Sequence, residues 1–331
     1  GCQFKNCGYG LDTSNCENSQ ILNNTYRDIT FFASNHSANS GSTVNTVIFT
    51  GNEVDNTGDS GVLFRSFENS TLHKVVATGN ILNNIGKVGM RASIPASNNN
   101  AVIGDVVFSN NIITGYGMAI SGFGLFSDAG NVSSTINSAV VTGNVVDGKT
   151  KDGVSSALTS GLWGYRLDDM NTLSGSGNVA LNCNSSGFSI SFARGATFSG
   201  SADNCSRLTT SSLAGAWVYD CQHSVFDFAV SNTVVGQGVH LERSRYCIVS
   251  GGFNNNQLFG LIEDVGGASG EKSKFNSFRF NAVGNGSGPV SYAVSDSNSQ
   301  EIGSTDASGS RNFGTGARRN ALALGGVQGF T

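Results

Sequence analysis

A six-residue stretch recurs four times in the first half of the chain: VIFTGN at 47–52, VVATGN at 75–80, VVFSNN at 106–111 and AVVTGN at 139–144. A looser copy, TLSGSGN, follows at 172–178. Successive copies end on Asn residues that are 28, 31, 33 and 34 positions apart. A repeat of about 20 to 50 residues is typical of a solenoid, whose units stack because none can bury its apolar face alone. The repeat therefore predicts a stack of coils in which Asn52, Asn80, Asn111 and Asn144 lie at one turn.

Each repeat also holds a second strand signal, which begins with Gly. The copies are GVLFR at 61–65, GMRAS at 89–93, GFGLF at 122–126, GFSIS at 187–191, GAWVY at 215–219, GVHLE at 238–242 and GLIED at 260–264. Apolar residues alternate with variable ones, which is the period of a half-buried strand. We expect an all-β protein: a right-handed parallel β-helix of roughly ten coils over residues 1–296, with a C-terminal cap or tail at 297–331. Polar insertions at 96–100, 127–138 and 149–160 predict loops that project from the coils.

Composition supports this fold class and excludes several kinds of function. The 331 residues include 45 Gly and only 13% charged residues, a composition that opposes helices. The formal net charge of −4 leaves no basic stripe, so no nucleic-acid partner is expected. No apolar run approaches the ~20 residues that span a bilayer, so we expect no membrane insertion. The first residues lack the basic and apolar blocks of a signal peptide, and we expect that the chain is part of a longer protein.

The cysteines and histidines favour structural roles over a metal site. The seven Cys residues include no CxxC pair, and their odd number disfavours a disulfide framework. Cys183 and Cys205 are expected to stack in adjacent coils as small apolar residues, as in a protein that folds in a reducing compartment. His36, His73 and His223 show no ligand spacing. We therefore expect neither a metal site nor a cofactor.

An outward column of unusual composition follows from stacking the Gly-led strands. The second and fourth positions after each Gly face away from the core if the strands are in register. These positions hold Leu63 and Arg65, Arg91 and Ser93, Phe126, Ser189 and Ser191, Trp217 and Tyr219, His240 and Glu242, and Ile262 and Asp264. The coil between 126 and 187 aligns from Gly161 or from Gly164, and the second choice turns Arg166 and Asp168 outward. Aromatic, cationic and acidic side chains together suit the binding of sugar rings and hydroxyls.

This succession of short strands resembles the receptor-binding β-helix of bacteriophage tailspikes, within the pectate-lyase-like superfamily, from about Ile21 to Asp296. The resemblance implies a homotrimer on the virion that binds, and often cleaves, bacterial capsule or O-antigen polysaccharide outside the host cell. Of the motif boxes of polygalacturonases, the chain has only the pair Asp168-Asp169. The Asp-Pro-His-Glu box of alginate epimerases is absent.

Glycoside hydrolysis requires two carboxyl groups, ~5–5.5 Å apart for retention of configuration and ~6.5–9.5 Å apart for inversion. Glu242 and Asp264 occupy the same outward position in neighbouring coils, which predicts Glu242 as the general acid and Asp264 as its partner. Crowding of the two carboxyl groups would raise one pKa. Asp168 or Asp169, with a partner on a facing loop or on a second subunit, is the next candidate. The alternative for Glu242 is an ion pair with Arg243 or Arg245 on the surface.

The remaining candidates bind substrate. Trp217 is expected to stack on a sugar ring; otherwise it packs beneath a loop or between subunits. Tyr219, His240, Arg166 and Arg91 are expected to line the groove. In a polysaccharide lyase, which remains an alternative, Tyr219 or His240 would be the base and Arg166 would neutralise a uronate. A rod that binds glycan without cutting it is the other alternative. Exposed apolar residues, namely Leu63, Phe126 and Ile262, would lie between subunits of a trimer.

Overall fold

The computed structural model describes residues 1–95, 98–116, 121–127, 134–149, 163–207, 214–264, 273–292, 299–302, 305–306, 312–313 and 318–320. Within these ranges the regular structure consists of strands. The first sixteen are β1 (Gln3–Lys5), β2 (Leu11–Ser14), β3 (Asn18–Leu22), β4 (Thr25–Ile29), β5 (Ser34–Ala38), β6 (Thr43–Thr50), β7 (Glu53–Thr57), β8 (Val62–Ser66), β9 (Thr71–Thr78), β10 (Ile81–Ile85), β11 (Met90–Ile94), β12 (Val102–Ser109), β13 (Ile112–Tyr116), β14 (Ser121–Ser127), β15 (Thr135–Thr142) and β16 (Val145–Asp147). The others are β17 (Trp163–Asp168), β18 (Met170–Leu181), β19 (Phe188–Ser191), β20 (Thr197–Asp203), β21 (Ala214–Tyr219), β22 (Val225–Ser231), β23 (Gln237–Glu242), β24 (Ile248–Asn254), β25 (Phe259–Asp264), β26 (Ser277–Val283), β27 (Gly288–Tyr292), β28 (Gln300–Ile302), β29 (Thr305–Asp306), β30 (Asn312–Phe313) and β31 (Arg318–Asn320).

The strands form the right-handed parallel β-helix that the repeat predicts. One sheet has nineteen strands, and a second, here the Gly-led sheet, has twelve: β2, β5, β8, β11, β14, β17, β19, β21, β23, β25, β27 and β30. Each strand of the Gly-led sheet pairs in parallel with its counterpart in the next coil. The sheet therefore has twelve rungs, somewhat more than the roughly ten coils expected. Among the described residues, no helix is long and apolar enough to cross a membrane.

The repeated Asn residues form one hydrogen-bonded ladder. Asn52 donates both its backbone N–H and its side-chain amide to Oδ1 of Asn80, at 2.9 and 3.1 Å. Asn80 does the same to Asn111, and Asn111 to Asn144. The ladder also includes Asn24 before these four and Asn178 after them. The predicted stacking at one turn is confirmed, and it explains the repeat: each buried amide satisfies the turn of the neighbouring coil.

Gly leads the strands of the Gly-led sheet because a side chain has no room there. A Cβ on Gly61 would lie 2.4 Å from the carbonyl oxygen of Gly89, and a Cβ on Gly238 would lie 2.3 Å from that of Gly260. Cβ atoms essentially never come this close to other heavy atoms. The glycine therefore fixes the register at which each Gly-led strand lies on the next.

The interior is apolar and includes a continuous aromatic stack. The rings of Phe108, Phe123, Tyr165 and Phe188 follow one another with centroids 5.9, 5.3 and 4.9 Å apart. Cys183 and Cys205 are fully buried free thiols, as expected for small apolar residues, and burial raises the pKa of the Cys205 thiol well above its ordinary value. Such close packing fixes the spacing of the coils. The coils in turn fix the spacing of the side chains on their outer surface.

The shape of the coil changes at β18. Before it, a coil contributes three strands, as β6, β7 and β8 do; after it, a coil contributes two, as β20 and β21 do. The Asn ladder ends at the same place, with Asn178, where the pairing of β18 with β20 shifts register. Most of the candidate residues therefore lie on the shorter coils of the second half.

Two further predictions concern the domain boundary near the C-terminus and the projecting loops. β28 pairs in parallel with β26, and β31 with β28. The boundary between a β-helix at 1–296 and a cap or tail at 297–331 remains a prediction, and most of the second segment lies outside the described residues. Of the loop expected at 149–160 only Lys149 is described, and of the loop expected at 96–100 residues 98–100 are described. The bounds 127–138 are wrong at both ends, because Ser127 belongs to β14 and β15 begins at Thr135.

Candidate functional site

The register of the Gly-led sheet aligns the candidate side chains in two rows. The second-position row runs through Leu63, Arg91, Gly124, Arg166, Ser189, Trp217, His240 and Ile262. The fourth-position row includes Asp168, Ser191, Tyr219, Glu242 and Asp264. Tyr165 and Leu167 are buried. This coil therefore aligns from Gly164, which was one of its two predicted alignments. The predicted alignment of these positions from coil to coil is confirmed.

Burial along the rows differs from what the sequence suggested. Only 4% of His240 and 6% of Leu63 is exposed, although both occupy outward positions. Ile262 is half-buried, and the side chain of Phe126 lies outside the description. The expectation that Leu63 is an exposed apolar residue for a subunit contact is therefore wrong. His240 and Leu63 are therefore sheltered from water, whereas Trp217, Glu242 and Asp264 are only half-buried.

Five of the predicted residues form one group, called here the Trp217 cluster: Trp217, Tyr219, His240, Glu242 and Asp264. They lie on β21, β23 and β25, three consecutive rungs. Trp217 pairs with His240, Tyr219 with Glu242, and Glu242 with Asp264. Neighbouring strands lie ~4.8 Å apart, so the cluster extends ~10 Å along the rod.

Glu242 is held by an aromatic donor and not by a cation. The indole Nε1–H of Trp217 donates to Oε2 of Glu242 at 3.1 Å. Among the described residues Glu242 makes no ion pair, so the alternative in which Arg243 or Arg245 neutralises it is wrong. The carboxyl group is half-buried and accepts one hydrogen bond, which leaves acceptor sites for a ligand and, when the group is protonated, an O–H donor.

His240 and Asp264 face each other on adjacent strands. Nε2 of His240 lies 3.5 Å from Oδ2 of Asp264, which is longer than an ordinary hydrogen bond. Neither ring nitrogen of His240 has a hydrogen-bond partner among the described residues, although the ring is buried. A buried imidazole without partners is unfavourable. A ligand hydroxyl that reaches the His240 ring would give one of its nitrogens a hydrogen-bond partner.

Two residues that the sequence reasoning missed complete the cluster. Arg243 donates to the hydroxyl of Tyr219 at 2.6 Å and forms an ion pair with Asp220 at 2.8 Å. Asp220 and Arg243 directly follow β21 and β23 and have φ of 49° and 53°. This left-handed turn directs the side chains back toward the fourth-position row. In the sequence, Asp220 and Arg243 are marked only by the fact that each directly follows a residue of the fourth-position row.

Asp168 and Arg166 form a separate group. Nε of Arg166 lies 2.5 Å from Oδ2 of Asp168, and the Ser191 hydroxyl donates to Oδ1 of the same carboxylate. Asp168 is three rungs from Glu242 through Ser191 and Tyr219, or ~14 Å. That exceeds the ~9.5 Å limit for a catalytic pair, so these two carboxylates cannot act on one bond. In the neighbouring Asp169, burial and then the charge of Asp168 raise the pKa of the carboxyl.

Arg91 does not join the Trp217 cluster either. Four rungs separate it from Trp217, a distance of ~19 Å along the rod. It lines a different cavity, together with Arg65 and Lys87. Within the residues that the structure describes, no group of three or more His, Cys, Asp or Glu side chains is placed to hold a metal ion.

No protein-family model matches the chain, and no curated protein matches it. Among solved structures, the Siphovirus 9NA tailspike receptor binding domain is similar at 10% identity and a TM-score of 0.36, over 100% of this chain and 74% of that one. A complex of the alginate lyase AlyF-OU02 with G6 is similar at 11% identity and a TM-score of 0.27, over 89% of this chain and 82% of that one.

Proposed function

We propose that the protein is a tailspike-like receptor-binding protein that binds and hydrolyses a bacterial surface polysaccharide, either capsule or O-antigen. The observation that carries the proposal is the Trp217 cluster. It sets two aromatic rings, a buried imidazole and two carboxylates on three consecutive rungs. Aromatic faces bind sugar rings, and paired carboxylates cleave glycosidic bonds.

In this reaction Glu242 protonates the oxygen of the leaving sugar, and Asp264 activates water or attacks the anomeric carbon. Their strands are direct neighbours, so their Cβ atoms lie ~5 Å apart and either catalytic separation is within reach of the side chains. Trp217 binds the sugar face and orients Glu242 through its N–H. His240, whose Nε2 lies 3.5 Å from Oδ2 of Asp264, would bind a substrate hydroxyl beside that carboxylate.

Asp168, Arg166 and Arg91 remain candidates for contacts with more distant sugars on the same sheet. By analogy with tailspikes, we propose a homotrimer on the virion that acts outside the host cell. An active centre shared between subunits would place Asp168 or Asp169 opposite a partner carboxylate.

A polysaccharide lyase is the second candidate, and the contact between Tyr219 and Arg243 favours it. A lyase requires a base at the proton beside the uronate carboxylate and a cation on that carboxylate. Arg243 donates to the Tyr219 hydroxyl at 2.6 Å, so a guanidinium group and a phenol oxygen lie together beside the cluster. Tyr219 would then be the base and Arg243 the cation.

One experiment separates the candidates. The protein is incubated with a panel of bacterial capsules and O-antigens, and the products are sized by gel filtration with ultraviolet detection. Hydrolysis gives shorter chains without new absorbance. A lyase gives shorter chains with the absorbance of an unsaturated sugar. Glycan that is retained by the protein at full length indicates a binding rod, and absence of both retention and shortening across the panel contradicts the proposal.

A further inference from the structure

A phenylalanine that the repeat does not mark lies beside the Trp217 cluster. Phe192 directly follows Ser191 of the fourth-position row, and Asp169, Asp220 and Arg243 hold the equivalent place in their own coils. The side chain of Phe192 is 50% exposed, which puts it among the most exposed aromatic rings of the described residues. Its backbone has a φ of 56°, in the left-handed region.

Both features are unfavourable for a phenylalanine. A positive φ is common for Asn and Asp, as at Asp169 and Asp220 in the neighbouring coils, and is an outlier for a bulky residue. An Asn or Asp at position 192 would relieve the backbone and would remove an apolar ring from water. Strained residues persist where the surrounding structure or a function requires them, so the ring of Phe192 calls for an explanation.

Packing within the described residues does not supply that explanation. The other exposed aromatic rings at positive φ, those of His223, Tyr246 and Phe275, cover one another: they lie parallel on successive coils, with centroids 5.0 and 5.2 Å apart. The ring of Phe192 instead contacts Tyr219, at 5.4 Å between centroids and 81° between planes. A nearly perpendicular contact of this kind leaves at least one face of Phe192 uncovered.

Phe192 extends the aromatic surface of the Trp217 cluster. The rings of Trp217 and Tyr219 have centroids 5.5 Å apart, and Phe192 continues the series beyond Tyr219. Tyr219 is itself less open to a sugar ring, because the guanidinium carbon of Arg243 lies over its ring, 5.1 Å from the centroid. Phe192 lies one rung from Tyr219 and two from Glu242, or ~10 Å from the proposed general acid. It is therefore placed beside a more distant part of a bound glycan, away from the bond that is cut.

We propose that Phe192 is a second platform for the glycan, on which the apolar C–H face of a sugar ring lies beyond the sugar that Trp217 binds. Phenylalanine offers an aromatic face and no hydrogen-bonding group, so this contact selects a sugar by the apolar area of one ring face. A bound sugar removes the exposed ring from water, which accounts for its retention at a strained position. Glycan as the ligand rests on the proposed function.

The test is affinity electrophoresis of the whole chain in native gels, each containing one capsule or O-antigen polysaccharide of the panel and run in the cold to slow any cleavage. Phe192→Asn removes the ring and suits the left-handed backbone, so it separates glycan binding from stability. Its dissociation constant for the polysaccharide that retards the parent protein should rise about three- to tenfold, as for the loss of one aromatic contact. Its midpoint of thermal unfolding should be at least that of the parent. Phe192→Tyr keeps the ring and should bind as the parent does.

Phe275→Asn is the matched control. Phe275 has a φ of 57° and is 44% exposed, but it stacks on Tyr246 and lies two residues before β26 of the nineteen-stranded sheet. Its replacement should leave the affinity unchanged. If Phe192→Asn does not fold, Phe192→Leu, which keeps an apolar side chain without a planar face, decides by the same measurement.

Three results would overturn the proposal: parent-like affinity of Phe192→Asn, an equal loss of affinity in Phe275→Asn, or a parent protein that no polysaccharide of the panel retards. Retardation requires no cleavage, so weaker binding by Phe192→Asn in a protein that cuts no polysaccharide would leave this inference standing while the proposed hydrolysis fails. Conversely, cleavage by the parent together with unchanged binding by Phe192→Asn would leave the hydrolysis standing and remove the platform.

Discussion

Trp217 on one coil donates its indole N–H to the carboxylate of Glu242 on the next, across 3.1 Å. The two residues belong to different rows, so the bond runs diagonally across the Gly-led sheet. This hydrogen bond joins the aromatic ring that would bind a sugar to the carboxyl group that would protonate the oxygen of the leaving sugar. Substrate position and acid position are thus coupled through one side chain.

Trp217→Phe should separate these two roles. Phe keeps an aromatic face but lacks the N–H, so Glu242 loses its only hydrogen bond among the described residues. We expect kcat on the cleaved polysaccharide to fall about 10- to 100-fold, since a hydrogen bond to a charged group contributes ~1.5–3 kcal/mol, while KM changes little. Trp217→Ala should raise KM as well. Trp163→Phe, which changes the other Trp of the chain, is the control. A kcat of Trp217→Phe equal to that of the parent protein would contradict the coupling.

Asn80→Ala should destabilise the fold through the ladder. The change removes the acceptor of the Asn52 backbone N–H and the donor to the Phe49 carbonyl, both buried. Each unsatisfied buried group costs ~1–3 kcal/mol, so the free energy of unfolding should fall by roughly 2–5 kcal/mol in urea titrations. Asn18→Ala, at an exposed position of β3, should stay within about 0.5 kcal/mol of the parent. Equal losses in both variants would mean that the ladder is not the source of stability.

Gly238→Ala should damage both the register and the site. The added Cβ would lie 2.3 Å from the carbonyl oxygen of Gly260, so the strands that carry His240 and Asp264 must move apart. We expect a loss of ~1–3 kcal/mol in stability, as for other overpacked sites, together with weaker glycan binding. Gly252→Ala is a matched control, because its nearest neighbour would be 3.5 Å away. Thermal unfolding and glycan titration of the pair give the answer, and an unaffected Gly238→Ala protein would contradict the steric account.

His36 should make stability fall in acid. Thr13 and Ser34 contact its two ring nitrogens at 2.6 and 2.7 Å, and burial lowers the pKa of His36 from 6.5 to about 3. Between these values the unfolded chain binds a proton that the folded chain does not, so stability is complete above about pH 6.5 and declines toward pH 3. The slope is ~1.4 kcal/mol per pH unit. Urea titrations across this range should show a shallower decline in His36→Gln, and an identical decline would rule His36 out as the cause.

The fold followed from the sequence because two local constraints repeat. Asn80 and its counterparts must be Asn to satisfy a buried turn, and Gly238 and its counterparts must be Gly because a carbonyl oxygen lies where a Cβ would be. These two positions in each coil set the register. The rows that contain Trp217 and Glu242 could therefore be predicted without a structure.

Burial and pairing at the site could not be predicted in the same way. The position of His240 in its coil indicates that it faces outward, but what packs above it is not encoded in the repeat, and it is buried. The alternative for Glu242 was an ion pair with Arg243 or Arg245, but a left-handed turn directs Arg243 to Asp220 and Tyr219. Arg91 was assigned to the groove by its row, and only a count of the rungs shows the ~19 Å that separate it from Trp217.

The most direct test of the central claim is the rate at which Glu242→Gln cleaves the polysaccharide that the parent protein shortens. Gln keeps the size and hydrogen bonding of Glu242 but has no proton to give, so turnover should fall ~10²-fold or more while glycan binding persists. Glu68→Gln, at an exposed position outside both rows, should cleave at the parent rate. Product sizing at equal enzyme concentration gives the comparison. Cleavage by Glu242→Gln at the parent rate would contradict the assignment of Glu242 as the general acid.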